Sequence, residues 1–316
     1  MTRLIADIGG TNARFALTDA AGMPSRERHL AVAAYAGPGE AARAYLAALP
    51  EPAEAIREAV IAVATPVDAE TIRFTNSPWT FTRDQLRSEL GVPQLAVIND
   101  FAAQATAIPH LGPSDSVAIG GGEPHPGWPV AVIGPGTGLG AAALVPGPDG
   151  PIVVASEAGH VSFAPQDEEE IELLRYLQSR HGHVSNERLI SGPGILALAR
   201  AHAAITATRL EAKSPEDVTR TARDGSCPVA VAALRRFSAI LGAAAGDLAL
   251  TFGAKGGVFV SGGLCLQLGP LFDHATFRRS FEAKGRLQRF LVDVPVHLVT
   301  TERIGLLGAA VHRFAS

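Results

Sequence analysis

An α/β fold of two related domains facing each other across a ligand cleft is predicted by three observations. Two glycine-threonine turns, Asp7-Ile8-Gly9-Gly10-Thr11-Asn12 and Gly134-Pro135-Gly136-Thr137-Gly138-Leu139-Gly140, each sit between two apolar runs, a pattern of strand, tight turn, strand. They stand 126 residues apart when Gly10-Thr11 is set on Gly136-Thr137, so each opens one half of the chain. Helical periodicity alternates with the strand signals.

Strands are expected at 3–8, 13–18, 58–64, 70–75 and 94–98. The first helix runs from Glu40 to Leu49, and the second from Thr82-Arg83-Asp84-Gln85, which fits a capping box, to Leu90. The Gly- and Pro-rich segment from Leu111 to Gly127 is the one obvious break. Strands resume at 129–133, 138–145 and 151–155. Helices follow at 167–180, 194–204, 215–222 and 229–251, then strands at 257–260 and 295–299, and a closing helix from Ile304 to Phe314.

With 316 residues and 47% apolar side chains, the chain can build two cores. A net charge of −4 provides no basic footprint, so nucleic acid is an unexpected partner. Cys227 and Cys265 lie far apart and outside any C-x-x-C, which suits reduced thiols in a cytoplasmic protein. Met1-Thr2-Arg3 leads directly into the first strand, leaving no room for a signal peptide. The most apolar stretch, Phe237 to Val260, is interrupted by Asp247, Lys255 and five glycines. It reads as a buried helix and strand, with no membrane span.

Glycine turns present successive backbone N–H groups that can wrap a phosphate, and the threonines add hydroxyl donors. Neither turn fits G-x-x-x-x-G-K-[ST] or G-x-G-x-x-G, and the chain has no G-x-S-x-G and no H-E-x-x-H. Asp7, at a strand end beside a phosphate turn, suits a Mg²⁺ partner through water, or an Asx-turn closing the hairpin. Asn99-Asp100 closes the run Leu95-Ala96-Val97-Ile98, where open α/β sheets place ligand groups. Asp100 could take a proton from an attacking hydroxyl or cap the following helix, whereas capping leaves Asn99 unexplained. Glu157-Ala158-Gly159-His160 can recognise neighbouring hydroxyls or stand in solvent. Ser185-Asn186-Glu187 and Ser191-Gly192-Pro193-Gly194 read as helix starts, and Asp167-Glu168-Glu169-Glu170 as an exposed first turn. Ser261-Gly262-Gly263 is a third glycine turn, suited to a nucleoside ring or to close packing.

Taken together, Asp7-Ile8-Gly9-Gly10-Thr11-Asn12-Ala13-Arg14, Ile98-Asn99-Asp100-Phe101, the Gly134–Gly140 turn, Glu157-x-x-His160 and Ser191-Gly192-Pro193-Gly194 resemble the bacterial ATP-dependent glucokinases over nearly the whole chain. The resemblance implies a two-domain actin-like ATPase (ribonuclease H-like) fold, with residues 1–110 plus 301–316 as the small domain and 111–300 as the large one. It implies phosphoryl transfer from Mg-ATP to the 6-hydroxyl of glucose. Asp100 would be the base, with Asn99, Glu157, His160 and Glu187 on sugar hydroxyls. Ala6, Asp7, Ile8, Gly9, Gly10, Thr11, Asn12, Gly136, Thr137 and Gly138 would hold phosphates, Asp7 the Mg²⁺ through water, and Gly262 and Gly263 the adenosine. A cytoplasmic homodimer is also implied. Pro135 and Ala158 depart from the family pattern. The zinc-binding cysteine cluster of the related ROK kinases is absent, and no DNA-binding segment precedes the first strand, so neither structural zinc nor a ROK-type repressor is expected. A kinase for another hexose and a non-catalytic sugar-binding regulator remain the alternatives.

Overall fold

The computed structural model describes residues 2–50, 56–74 and 77–314; Met1, Thr75 of the expected 70–75 strand, and the last two residues of the expected small domain lie outside them. The chain separates into two compact units, Met1–Gly112 with Thr301–Ser316, and Pro113–Thr300. The division falls inside the Gly- and Pro-rich segment.

In the smaller unit, β1 (Arg3–Ile8), β2 (Asn12–Thr18), β3 (Pro24–Ala31), β4 (Glu58–Val63) and β7 (Gln94–Asn99) form one sheet in the order β3-β2-β1-β4-β7. A short ribbon of β5 (Thr71–Arg73) and β6 (Thr80–Thr82) stands apart from it. β1, β4 and β7 are parallel, and β1 pairs antiparallel with β2, Asp7 opposite Arg14. Burial on both faces explains the unbroken apolar runs in β1 and β4. Leu4, Ala6 and Ile8 point into a core with Phe15 and Tyr45, while Ile5 and Val60 meet the closing helix (Ile304–Val311) through Leu306 and Ala309. Helices α1 (Pro38–Ala47), α2 (Arg83–Leu90) and α3 (Asp100–Ala107) complete the unit. Thr82 caps α2 by accepting the Gln85 N–H at 3.1 Å, but the Gln85 side chain turns to Glu89, so only half of the expected capping box forms.

The larger unit repeats this plan. β9 (Val130–Pro135), β10 (Leu139–Val145), β11 (Ile152–Ser156), β12 (Gly257–Val260) and β13 (Val296–Val299) lie in the order β11-β10-β9-β12-β13, with the edge strand β8 (Ser116–Gly120) added beside β13. β9 is antiparallel to β10 and parallel to β12, as β1 is to β2 and β4. The two glycine turns therefore occupy equivalent hairpins of a duplicated sheet. Helix α7 (Pro228–Phe252) packs on the second sheet, α5 (Gly192–Ile205) and α6 (Pro215–Arg223) pack on α7, and α4 (Glu168–His181) packs on α5; the unforeseen α8 (Gly263–Leu268), α9 (His274–Glu282) and α10 (Gln288–Val292) follow. By length and composition α7 could cross a membrane, but 67% of its most apolar window is buried inside the protein. It is the core helix expected from the sequence.

The acidic run 167–170 is only in part the exposed turn expected, with Asp167 and Glu168 exposed. Asp167 does cap α4, accepting the Glu170 N–H, but Glu170 is 3% exposed. Arg236 of α7 reaches across to Asp167 at 2.7 Å, to Glu170 at 3.0 Å and to Glu169. A cation on a distant helix decides the state of these acids. Local periodicity has no way to reveal it. Arg236→Ala would strand the Glu170 carboxylate in the interior, and a loss of about 3 kcal/mol of unfolding free energy in urea titration is expected.

At Gly308 of the closing helix, an added Cβ would collide with the Ala103 carbonyl oxygen of α3. Helix propensity alone would make Gly308→Ala stabilising by about 1 kcal/mol. The close approach reverses the sign, and a loss of about 2 kcal/mol in chemical denaturation is the expected result.

Candidate functional site

The candidate residues assemble in two groups, one in each unit. In the smaller unit, Asp7 is the penultimate residue of β1, and Asn99-Asp100 joins β7 to α3. Ile8 is level with Val63, which is level with Asn99, so both groups lie on the carboxyl edge of the parallel strands. Two strand spacings separate them, about 10 Å. The turn between β1 and β2 is closed by the Gly9 N–H on the Asn12 carbonyl at 2.9 Å. Thr11 and Asn12 are exposed. Their side chains point where a ligand could meet them.

Asn99 is the N-cap of α3, contrary to the expectation that capping leaves it unexplained. Its Oδ1 accepts the Phe101 N–H at 2.9 Å and the Ala102 N–H at 3.1 Å. The strand-to-helix corner directs the first helical N–H groups back at residue 99, and an acceptor is needed there. Asp100 is the first residue of α3 and therefore not its N-cap, although its Oδ1 also accepts the Phe101 N–H, at 2.9 Å. Asn99→Ala is expected to cost about 1 kcal/mol of stability as a lost cap. Asn99→Ser should recover most of it in thermal denaturation, because serine restores an acceptor.

Burial holds the Asp7 carboxyl above the usual carboxylate range; the Arg14 guanidinium pulls it down and Glu27 adds repulsion. The carboxylate packs against Gly305 of the closing helix. Among the described residues no cluster of three or more His, Cys, Asp or Glu could hold a metal alone. A Mg²⁺ fits beside Asp7 on those terms, since this cation keeps most of its shell as water and phosphate oxygen, and it would relieve a buried negative charge.

In the larger unit, three further segments converge on the second glycine turn. The Gly192 N–H, at the start of α5, donates to the Gly136 carbonyl at 2.8 Å. Gly262 adopts φ +91°, and a Cβ there would lie 2.7 Å from the Pro135 carbonyl oxygen. Gly159 approaches the Leu139 carbonyl so closely that a Cβ would collide with it. The packing role of Gly262 is therefore present, and it is against the phosphate-type turn itself. Gly263 begins α8. Thr137 is exposed at the tip.

Glu157 and His160 bracket a single 3₁₀ turn, their carboxylate and imidazole 4.0 Å apart and each 59% exposed. Glu187 lies on a second such turn, Asn186–Arg188. Its Oε2 accepts the Leu139 N–H at 3.0 Å, which binds it to the glycine turn. The two turns are joined by the Asn186 N–H on the Val161 carbonyl at 3.0 Å. Ser191 has more than the expected helix-start role: its hydroxyl accepts the Gly194 N–H and donates to the Glu187 carbonyl at 2.7 Å. Nothing in the spacing of Glu187 and Ser191 distinguishes that bond from an ordinary cap. A cavity of about 480 Å³ opens beside Glu157, between Val161 and Phe163 on one side and Ile240 and Leu248 of α7 on the other. Its walls are mainly apolar, with Ser156, Glu157, Ser162, Asn186, Asp247 and Thr251 as the polar exceptions.

The arrangement offers phosphate-type turns on both sheets, an acid at a strand end in one unit, and exposed acid and imidazole groups in the other. Comparison with known proteins agrees. The Glucokinase family model matches residues 4–315. A glucokinase of Chromobacterium violaceum is 43% identical over 310 residues, 98% of this chain and 88% of that protein. The crystal structure of a glucokinase from an Antarctic psychrotroph is 39% identical, covers 98% of both chains and superposes with a TM-score of 0.87. A ROK family glucokinase from Streptomyces griseus, in complex with glucose and AMPPNP, shares the fold at 23% identity and a TM-score of 0.65, with 98% of each chain covered. On the strength of the duplicated sheet, the two turns and these full-length matches, this chain belongs to the glucokinase family, with its actin-like ATPase fold.

Proposed function

We propose that this protein is an ATP-dependent glucokinase, transferring the γ-phosphoryl of ATP to the 6-hydroxyl of D-glucose to give glucose 6-phosphate. The observation that carries the reading is the pair of glycine-threonine turns on equivalent hairpins, with Asp100 at the carboxyl edge of one sheet. The smaller unit supplies Asp100 as base and Asn99, whose amide NH₂ is available to a sugar oxygen while its Oδ1 caps α3. The larger unit supplies Glu157, His160 and Glu187 for the other hydroxyls. Residues Ala6 to Asn12 and Gly136 to Gly138 hold the phosphates, and Gly262 and Gly263 the adenosine.

In the reaction, the Asp100 carboxylate takes the proton of the 6-hydroxyl as that oxygen forms its bond to the γ-phosphorus. The bond from phosphorus to the β–γ bridging oxygen breaks, and ADP leaves with its electron pair. Backbone N–H groups of the turns stabilise the charge that collects on the phosphoryl oxygens. A Mg²⁺ held through water by Asp7 supplies further neutralisation of phosphate charge when bound. Water is a competing nucleophile, so the sugar must displace it before transfer. We further assign the enzyme to the cytoplasm, as a homodimer, at the entry of glucose into glycolysis.

The test is ADP release from Mg-ATP with a panel of hexoses. Glucose should stimulate release strongly. Asp100→Asn should bind glucose with little change yet lose a factor of about 10² to 10⁴ in turnover. Release only with another sugar would move the specificity. Sugar binding without release from any hexose would replace the enzyme with a regulator.

A further inference from the structure

The Glu187 side chain does two things at once. In the structure it belongs to the second glycine turn, through the 3.0 Å bond from the Leu139 N–H to its Oε2. Under the glucokinase reading it also faces a sugar hydroxyl. A carboxylate can do both, because its two oxygens accept independently.

The bond to Leu139 is one side of a closed circuit. From Glu187 the main chain carbonyl accepts the Ser191 hydroxyl at 2.7 Å. The next residue, Gly192, donates its N–H to the Gly136 carbonyl at 2.8 Å, and the Gly136 N–H donates to the Gly138 carbonyl at 2.8 Å. Gly138 adjoins Leu139, which returns to Glu187. The circuit encloses the turn that contains Gly136, Thr137 and Gly138. Its only link made by a carboxylate is Glu187.

We infer that Glu187 couples sugar binding to nucleotide binding: a hydroxyl on one carboxylate oxygen fixes the plane of the group and, through the other oxygen, the shape of the phosphate turn. This rests on the glucose and ATP reading above. The coupling is reciprocal, so glucose tightens ADP binding by the factor by which ADP tightens glucose binding. An unordered carboxylate leaves the Leu139 N–H to move, and the turn then presents its donors less well.

Calorimetric titration of Mg-ADP into the protein, without glucose and at saturating glucose, measures the coupling as a ratio of dissociation constants. For the unaltered protein a ratio of about fivefold or more is expected. Glu187→Gln keeps an oxygen that can accept the Leu139 N–H, and should hold the ratio within about twofold of that value while weakening glucose. Glu187→Ala, measured at its own saturating glucose, should bring the ratio to about one. A purely structural role for Glu187 would weaken ADP equally in both titrations and leave the ratio unchanged, which overturns the inference.

Should Glu187→Ala bind too little glucose to saturate, Gly138→Ala serves instead. A Cβ on residue 138 would stand 2.5 Å from the Glu187 Oε2 and force it away from the turn. A ratio near one supports the coupling, and the unaltered ratio overturns it. If the unaltered protein binds glucose with a ratio of one, the coupling fails and the glucokinase reading stands. If it binds no glucose, that reading fails first.

Discussion

At the Gly134–Gly140 turn, backbone meets backbone from three directions. The Gly192 N–H bonds to the Gly136 carbonyl, Gly262 lies against the Pro135 carbonyl, and Gly159 lies against that of Leu139. Residues 159 and 262 have no space for a Cβ, so close contact fixes the 157–160 loop and the segment before α8 against the turn, and a hydrogen bond fixes the start of α5. Glu157, His160 and Glu187 derive their positions from this junction. A larger residue at either glycine would separate the loops that present them.

The smaller unit solves a different problem, which is how to keep carboxylates at the edge of a buried sheet. Asp100 and Asn99 share the first donors of α3, which satisfies the N–H groups of the strand-to-helix corner. Asp7 is left with burial that raises its carboxyl and only partial relief from Arg14, whose guanidinium is also engaged with Glu302. That contrasts with Asp167, Glu169 and Glu170, with which Arg236 pairs directly. A buried acid with its own arginine is a structural device. One held beside a phosphate-type turn is suited to a cation that arrives with its ligand.

Much of the fold was legible because the signals are local. The apolar runs of β1, β4, β9 and β12 and the 25-residue α7 follow from burial; β1 and β12 keep the expected bounds, and the ends of the others move by no more than two residues. The elements that escaped have reasons to. β3 reads Pro-Ser-Arg-Glu-Arg-His-Leu-Ala and is largely exposed on a sheet edge. β8 is another edge strand, inside a segment whose glycines and prolines signal a break. α8 and α10 have six and five residues, too few to show a period.

The candidate residues Asp7, Asn99 and Asp100 could be named from the chain because glycine turns and strand ends restrict where ligand groups can stand, whereas Glu157, His160 and Glu187 were singled out by the family resemblance. Sequence alone thus determined the duplicated α/β plan and the family, since both depend on residue type and order over short windows. Tertiary structure alone decided that Asn99 is a cap, that Arg236 pairs with Asp167, Glu169 and Glu170, and that Glu187 is bonded to Leu139. Each of these is a pairing between polar groups, and several partners lie dozens of residues apart. A hydrogen bond or ion pair of about 3 Å is set by how strands and helices pack, and no periodicity along the chain records it.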